Sequence, residues 1–520
     1  MIDLVQLEAA GEIVRAPALA VRLPAAPRRY YYHGWQSWSP AIWTDTELRL
    51  PTPHPKRLHP MQFDPAHIFE PHPHGSGLAA VEMEDGGVVL LGALGMDAHV
   101  ELAGNEVRGT YEGTTGEWFV DRGDERSVFA RYARELGKRL GKKSSNRAPR
   151  VWCSWYSLFT AIDEPRLARV FDGLGDLPFD VLQVDDGWQQ SVGDWEANAK
   201  FSSGMQTLAQ RIKATGRRAG LWLAPLIAVK SSRLFRQHRD WFLRDARGRL
   251  VSAGFNWGEQ LYALDTTHPL VIQWLKGLMQ KTRAWGYDYL KLDFLYAGAL
   301  PGQRHTATAR EMAYRESLET MREVLGEDAF LLACGAPILP SLGVCDALRI
   351  GPDTAPQWES QRDAVLLHNP AIPGTRNAIR TTLNRMWLKP LVHIDPDVVY
   401  FRSVDCDLTP QQKNLLQSLA LVCDFRATSD LPQWLGESER DSLREFLTAR
   451  PRIEQTGARS FKLDGRELDY SSVMELTATP GRWTAIKGAA FGWLANHTWT
   501  LRIDHELGKR NLRQRMKDAF

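Results

Sequence analysis

The stretch YLKLDFLYAG, Tyr289 to Gly298, is an apolar run of strand length that carries a lysine and an aspartate two residues apart. Burying a charge costs several kcal/mol unless the charge is paired or used. Successive strand residues point to opposite faces, so Lys291 and Asp293 share one face and Leu292 takes the other. A strand that is apolar along its length and charged at its end is what a parallel barrel presents at the mouth where its chemistry sits.

Working outward from this run, the pattern repeats. Between Val151 and about Arg450, apolar runs alternate with amphipathic helical segments: VWCSWYS, FDVLQVDD, AGLWLAP, YDYLKLD, AFLLACG, ALRIG, LVHID and DFRATSD. Alternating strand and helix patterns of this number and spacing predict a (β/α)8 TIM barrel, an α/β fold, over residues 146–450. Helix punctuation agrees. Thr409, Pro410 and Gln412 form a capping-box sequence, and the helix that begins near Pro269 is expected to stack Leu270, Trp274, Leu275 and Leu278 on one face and stop at Gly286.

The flanks read differently. Residues 1–145 hold short strand-like runs such as GGVVLLGAL, broken by Gly, Pro and Asp, then one helix, RSVFARYARELGKRL, and a linker at Gly141–Asn146. An N-terminal β-sandwich domain is expected there. Residues 451–520 return to alternating runs, RSFKLDGRELDYSSVMEL and GWLANHTWTLRIDHEL, and predict a small antiparallel β domain.

Composition narrows the function. The net charge is only +2 with no basic face, which argues against nucleic acid as a partner. No apolar run is long enough to span a bilayer and the first residues lack a signal-peptide core, so a soluble, cytoplasmic protein is expected, with no membrane partner. The five cysteines are scattered and odd in number, as expected of reduced, buried thiols. Nineteen tryptophans mildly favour a carbohydrate ligand, because flat amphipathic rings suit the apolar faces of sugars. The sequence leaves monomer or homo-oligomer open.

The polar residues that end the barrel runs are few and mostly acidic: Asp185 and Asp186, Lys291 and Asp293, Arg349 and Asp353, Asp395 and Asp397. A cation beside Asp293 would hold it ionised, which suits a nucleophile. Asp353, in a loop opened by Gly351 and Pro352, would have its pKa raised by partial burial near other acids, which suits a proton donor. Together these are the two carboxylates of a retaining glycosidase. Each motif alone has a plainer reading, the lysine-aspartate pair as an internal salt bridge and the DDG triplet as a turn. Their joint placement at strand ends favours a site. Neither metal nor cofactor is expected: no H-E-x-x-H occurs, and Lys291 and Arg349 would repel a cation. The histidines His54, His59, His67, His72 and His74 lie in a proline-rich stretch that reads as a loop. No nucleophile elbow, Walker A loop or intact dinucleotide fingerprint is present.

Taken together, VWCSWYS, VLQVDDGW, GLWLAP, YLKLDFLYAGALPG, RIGPD and DPDVVYFR resemble the family 36 glycoside hydrolases, the microbial α-galactosidases, and YHGWQSWSP (Tyr32 to Pro40) resembles a stretch of that family's N-terminal domain. The resemblance implies a retaining exo-α-galactosidase acting on oligosaccharides such as melibiose or raffinose, with Asp293 as nucleophile and Asp353 as acid/base. It implies that Asp185 and Asp186 receive the 4- and 6-hydroxyls of galactose and that Lys291 and Arg349 donate to ring hydroxyls. Trp155 on the first strand and Trp222 on the third would wall the pocket. Cys334 and Gly335 stand where the family carries a glycine-rich stretch, and small residues there would leave space near the 2-hydroxyl. Asp397 would orient Arg349 or form an internal salt bridge. Trp35, Trp38 and Trp257 are candidates for the leaving-group side. A galactosyl transferase resembling raffinose synthase, an α-N-acetylgalactosaminidase, or a non-catalytic sugar-binding protein on the same barrel are the alternatives.

Overall fold

The computed structural model describes residues 2–3, 11–46, 56–141, 147–359 and 371–474, with a few single positions and one short stretch beyond. Eight parallel strands form the central sheet: β1 (Arg150–Cys153), β2 (Val181–Val184), β3 (Arg218–Leu223), β4 (Tyr289–Leu292), β5 (Phe330–Ala333), β6 (Ala347–Arg349), β7 (His393–Asp395) and β8 (Arg426–Thr428). Each coincides with one of the eight apolar runs, two of them starting one residue earlier, at Arg150 and Arg218. Their order is β7-β6-β5-β4-β3-β2-β1-β8, and a parallel bridge from Val399 to Thr428, with the Val399 amide 2.9 Å from the Ala427 carbonyl, closes the ring. Helices cover the outside, so the strands are buried on both faces and run apolar without alternation.

Local signals set the helix ends. The side chain of Thr409 accepts from the Gln412 amide and that of Gln412 accepts from the Thr409 amide, which starts the helix Pro410–Cys423. Helix Pro269–Trp285 stops at Gly286, whose φ of 100° is left-handed and open to glycine at little cost. Its buried face is Val271, Leu275, Leu278, Met279 and Thr282. Leu270 was expected on that face and is 49% exposed, because it sits in the first turn, one residue out of phase with the stripe.

Ahead of the barrel, a five-stranded and a six-stranded sheet, almost wholly antiparallel, enclose a separate core that includes Val21, Tyr30, Val81, Val100 and Trp118. Helix Glu125–Leu140 follows, capped by Asp124, which accepts from the Ser127 amide. After the barrel come three antiparallel strands, Ile453–Gln455, Ser460–Leu463 and Arg466–Asp469. The run from Gly492 to Leu507, most of the linker at Gly141–Asn146 and His54 lie outside the described residues. Among the described residues, no helix is long and apolar enough to cross a membrane. Cys153, Cys334, Cys345 and Cys423 are buried free thiols, and Cys406 is half-buried.

One buried cation joins the first domain to the barrel. Arg385 is fully buried and donates to four carbonyls, Ser37 (2.8 Å), Ile350 (2.9 Å), Gly34 (3.0 Å) and Gln36 (3.1 Å). Burial pushes its pKa down to about 10. The Gln36 side chain continues the connection, donating to the Met61 carbonyl (2.6 Å) and accepting from the Trp38 amide (2.7 Å). Ser37 pairs with Ala336, just past β5, through both its amide and its hydroxyl.

Candidate active site

The mouth of the barrel opens into a cavity of about 280 Å³. Barrel residues line one side of it: Trp155, Asp185, Asp186, Trp222, Lys291, Asp293 and Asp353. These are seven of the ten residues expected from the sequence. The strands bring them together although they span almost 200 positions, because parallel strands all end at the same rim.

Asp293 follows β4 and is 7% exposed. Its carboxylate accepts from Trp222 Nε1 (2.9 Å) and from the Phe294 amide (2.9 Å). Phe294 holds a left-handed backbone, φ 55°, uncommon for a bulky residue and a form of strain that gathers at sites. The lysine sits differently from the sequence expectation. Lys291 Nζ reaches Asp185 Oδ2 at 3.0 Å, so its direct ion pair is with Asp185 and its effect on Asp293 is through space. Burial would lower the Lys291 pKa, but Asp185 and Asp293 outweigh it and hold the ammonium well above its ordinary value.

Asp185 is almost wholly enclosed, accepting also from Gln183 Nε2 (2.6 Å) and the Asp186 amide (2.9 Å). Asp186 accepts from Gln189 Nε2 (2.5 Å) and from Trp257 Nε1 (2.7 Å). Burial, reinforced by Asp185, pushes its pKa up to about 6 although both donors act the other way.

Asp353 lies in the loop after β6. Burial raises its pKa, with Asp293 adding to the rise; Arg349, Lys291 and Tyr156 oppose it. Arg349, the last residue of β6, contacts Asp353 Oδ1 (3.1 Å), the Tyr156 hydroxyl (3.3 Å), Asp395 Oδ2 (3.0 Å) and Asp397 Oδ1 (2.7 Å). It lies behind Asp353 and outside the cavity lining.

Cys334 and Gly335 also lie behind the lining. Gly335 has φ 52°, and a Cβ there would stand 3.1 Å from the Trp38 ring and 3.2 Å from the Phe294 amide. The space left by the small residue is filled by Trp38. Trp155 is not on β1 but opens the short helix Trp155–Leu158 just after it. Trp222 is on β3 as expected.

The other side of the cavity comes from outside the strands: Trp38, Leu58, Met61 and Gln62 of the first domain, Asn256 and Trp257 of a hairpin after β3, Phe294, and Pro352, Ala371 and Pro373. Of the three candidate tryptophans, Trp38 and Trp257 line the cavity and Trp35 does not. Tyr156 carried a signal only in its position beside Trp155, and Leu58, Met61 and Gln62 carried none.

The histidine-rich loop forms a separate cluster. His67 sits between Glu70 (Nδ1, 3.1 Å) and Glu112 (Nε2, 3.2 Å), and its ring stacks on His99 at 3.6 Å. Burial opposes its protonation, but the surrounding Glu112, Asp64 and Glu70 raise its pKa above the ordinary value. Donor atoms of His67, Glu70 and His99 lie within 4.8 Å of one another. Two stacked rings aim their in-plane lone pairs poorly at one ion, so the arrangement suits a histidine held between two carboxylates better than a metal site.

A (β/α)8 barrel whose strand ends place paired acids around a sugar-sized cavity is the make-up of a glycoside hydrolase. Residues 126–325 match the Melibiase family model. Among curated proteins, the chain is 27% identical over 180 residues to Alpha-galactosidase 2 of Pediococcus pentosaceus and 25% identical over 170 residues to Alpha-galactosidase AgaA of Geobacillus stearothermophilus. These matches cover 32% and 30% of this chain, and 24% and 23% of those longer proteins. A solved α-galactosidase, TtGalA from Thermus thermophilus in complex with p-nitrophenyl α-D-galactopyranoside, is 45% identical with a TM-score of 0.85, over 90% of this chain and 95% of that one. The AgaA crystal structure shares the fold at 14% identity and a TM-score of 0.58, over 82% of this chain and 61% of that one. The chain belongs to the α-galactosidases of glycoside hydrolase family 36.

Proposed function

We propose that the protein is a retaining exo-α-galactosidase that removes terminal α-linked galactose from oligosaccharides, with Asp293 as nucleophile and Asp353 as acid/base. The observation that carries this reading is that two differently treated carboxyls, Asp293 and Asp353, border one cavity. Asp293 stands between two hydrogen-bond donors, Trp222 Nε1 and the Phe294 amide, which hold its carboxylate in place. Burial raises the Asp353 pKa, the direction a proton donor needs. Asp293 attacks the anomeric carbon as Asp353 protonates the departing glycosidic oxygen. Asp353 then takes a proton from the water that releases galactose from the covalent intermediate. Neither step calls for a cofactor.

The polar groups suit the glycone. Asp185, Asp186 and Lys291 present charged acceptors and donors at the closed end, where charge-assisted bonds can hold hydroxyls in competition with water. Trp38 and Trp257 supply flat apolar walls toward the open end. The 45% identity to TtGalA, which has also been solved in complex with stachyose, supports a galactose-terminated oligosaccharide as substrate.

The test is product analysis by NMR on an α-galactoside. Retention requires that α-galactose appear first and mutarotate afterwards. Asp293→Asn should lower turnover by several orders of magnitude. First appearance of the β-anomer, or an Asn variant with near-normal turnover, would overturn the assignment of roles.

A further inference from the structure

An acid/base that must hold a proton sits 3.1 Å from a guanidinium, which on its own would keep it ionised. Arg349, however, is shared. It reaches Asp395 at 3.0 Å and Asp397 at 2.7 Å as well, so three carboxyls surround one cation. The side chains of Arg349, Asp395 and Asp397 are all 4% exposed or less, so solvent screens them little. Asp353 is more open, with 34% of its side chain exposed, but it shares that one guanidinium with both buried acids, and carboxylates crowded on one cation repel.

We propose that Asp397, together with Asp395, is a positioning residue for the acid/base: it takes up the charge of Arg349 so that Asp353, on the same guanidinium, keeps its proton. This rests on the reading of Asp353 given above. The groups that face Asp353 are Arg349 from β6, Tyr156 from the helix after β1, Lys291 and Asp293 from the end of β4, Cys334 from the end of β5, and Asp397 from the end of β7. Of these, Asp397 is coupled to Asp353 by three routes. Its Oδ2 accepts from the Tyr156 hydroxyl, which itself contacts Arg349 Nη1. That same Oδ2 accepts from the amide of Thr354, the residue after Asp353, at 2.8 Å. Its Oδ1 faces Arg349 Nη2. Asp397 keeps this pose at φ 83°, a backbone state costly for a residue other than glycine, which points to a demand at this position beyond chain path. Burial first, with Asp353 and Asp395 adding and Arg349 opposing, pushes its pKa up to about 7, so the pair shares one proton; the Tyr156 hydroxyl, the Thr354 amide and Arg349, all aimed at Asp397, favour the anion there and the proton on Asp353.

The sign follows from the coupling. Asp353 and Asp397 shed their last shared proton only by becoming two anions on one cation, which holds that proton to higher pH. Removing the Asp397 charge removes the repulsion, so Asp353 loses its proton earlier.

The experiment is the pH profile of kcat/KM for Asp397→Asn, and independently for Asp395→Asn, on two substrates. One is an alkyl or disaccharide α-galactoside, whose leaving group needs a proton; the other is a dinitrophenyl α-galactoside, whose leaving group needs none. The alkaline limb for the alkyl substrate should move down by about one pH unit or more, a loss of roughly tenfold above that limb. The dinitrophenyl substrate should keep kcat/KM within a few fold. An unmoved alkaline limb in both variants, or equal loss on both substrates with an unchanged profile, would overturn the proposal and leave a structural role. Failure of the underlying reading looks different: the wild-type chain would then show no dependence on leaving-group acidity.

Discussion

Replacing Arg385 by methionine tests how the first domain completes the cavity. The side chain is fully buried and has no carboxylate partner among the described residues; its charge is met by four backbone carbonyls. The Gln36 carbonyl keeps the Ser39 amide at 3.0 Å, while Gly34, Ser37 and Ile350 lose a charged donor. Hydrogen bonds to a charged group contribute about 1.5–3 kcal/mol each after exchange with water. Desolvating the guanidinium takes back several kcal/mol, and methionine fills much of the stem's volume. Unpaired buried carbonyls cost about 1–3 kcal/mol each, so with partial relaxation a net loss of about 3 kcal/mol is expected. The damage should be local: Gln36, which fixes both Trp38 and Met61, loses its anchor, so the open side of the cavity loosens while Asp293 and Asp353 stay in place. Urea unfolding should show a lower midpoint. KM for a disaccharide should rise about tenfold, with kcat on an activated aryl galactoside changing less. A variant with wild-type midpoint and KM would show that Arg385 anchors nothing the substrate feels, and equal losses in kcat on every substrate would place its effect on the acids instead.

Three further outcomes are expected. Asp186, whose folded pKa is raised to about 6, contributes stability that is fully present below about pH 4 and is lost as the pH rises through 6. Asp186→Asn should therefore be more stable than wild type at pH 8, by at most roughly 2–3 kcal/mol, and not at pH 4, as read by thermal melts; the same variant should bind galactose more weakly at pH 8. Lys291→Met leaves Asp185 buried without its cation and should cost about 3–5 kcal/mol, whereas the double variant with Asp185→Asn should recover part of that loss, measured by a double-mutant cycle in urea. Gly335→Ala imposes φ 52° on alanine and presses a methyl to 3.1 Å from Trp38; a loss of about 1–2 kcal/mol and a raised KM are expected, and an unchanged KM would mean that the Trp38 wall does not touch substrate.

The barrel was legible because buried parallel strands carry their own signature. All eight runs became strands, and the acids that end them converged on one rim. Helix ends were legible where a cap decides them, as at Thr409 and Gly286. What the sequence could not convey was choice among partners at that rim. Lys291 has two aspartates within its field, and only the three-dimensional spacing assigns its direct contact to Asp185. Arg349 read as a sugar-facing donor with Asp397 as its one anticipated partner; Asp395, from strand 7, and Tyr156, from the helix after strand 1, join it only in three dimensions. Leu58, Met61 and Gln62 were illegible for another reason: they come from a segment with no period, held by a few side-chain bonds such as that from Gln36. Leu270 shows the limit of a helical-wheel reading at a first turn, where one position of phase decides burial.

The two halves of the cavity have separate origins. The end that holds Asp293 and Asp353 is set by the barrel strands and the turns directly after them, where most changes would cost the fold, while the opposite wall is borrowed from more distant loops and from a domain that lies earlier in the chain. Substitutions at Leu58 or Gln62 can therefore accumulate without disturbing the acids, and under the proposed function they would retune which galactosides are accepted. The same division means that the excised barrel would keep its acids at an open rim and lose the wall that Trp38, Leu58, Met61 and Gln62 supply.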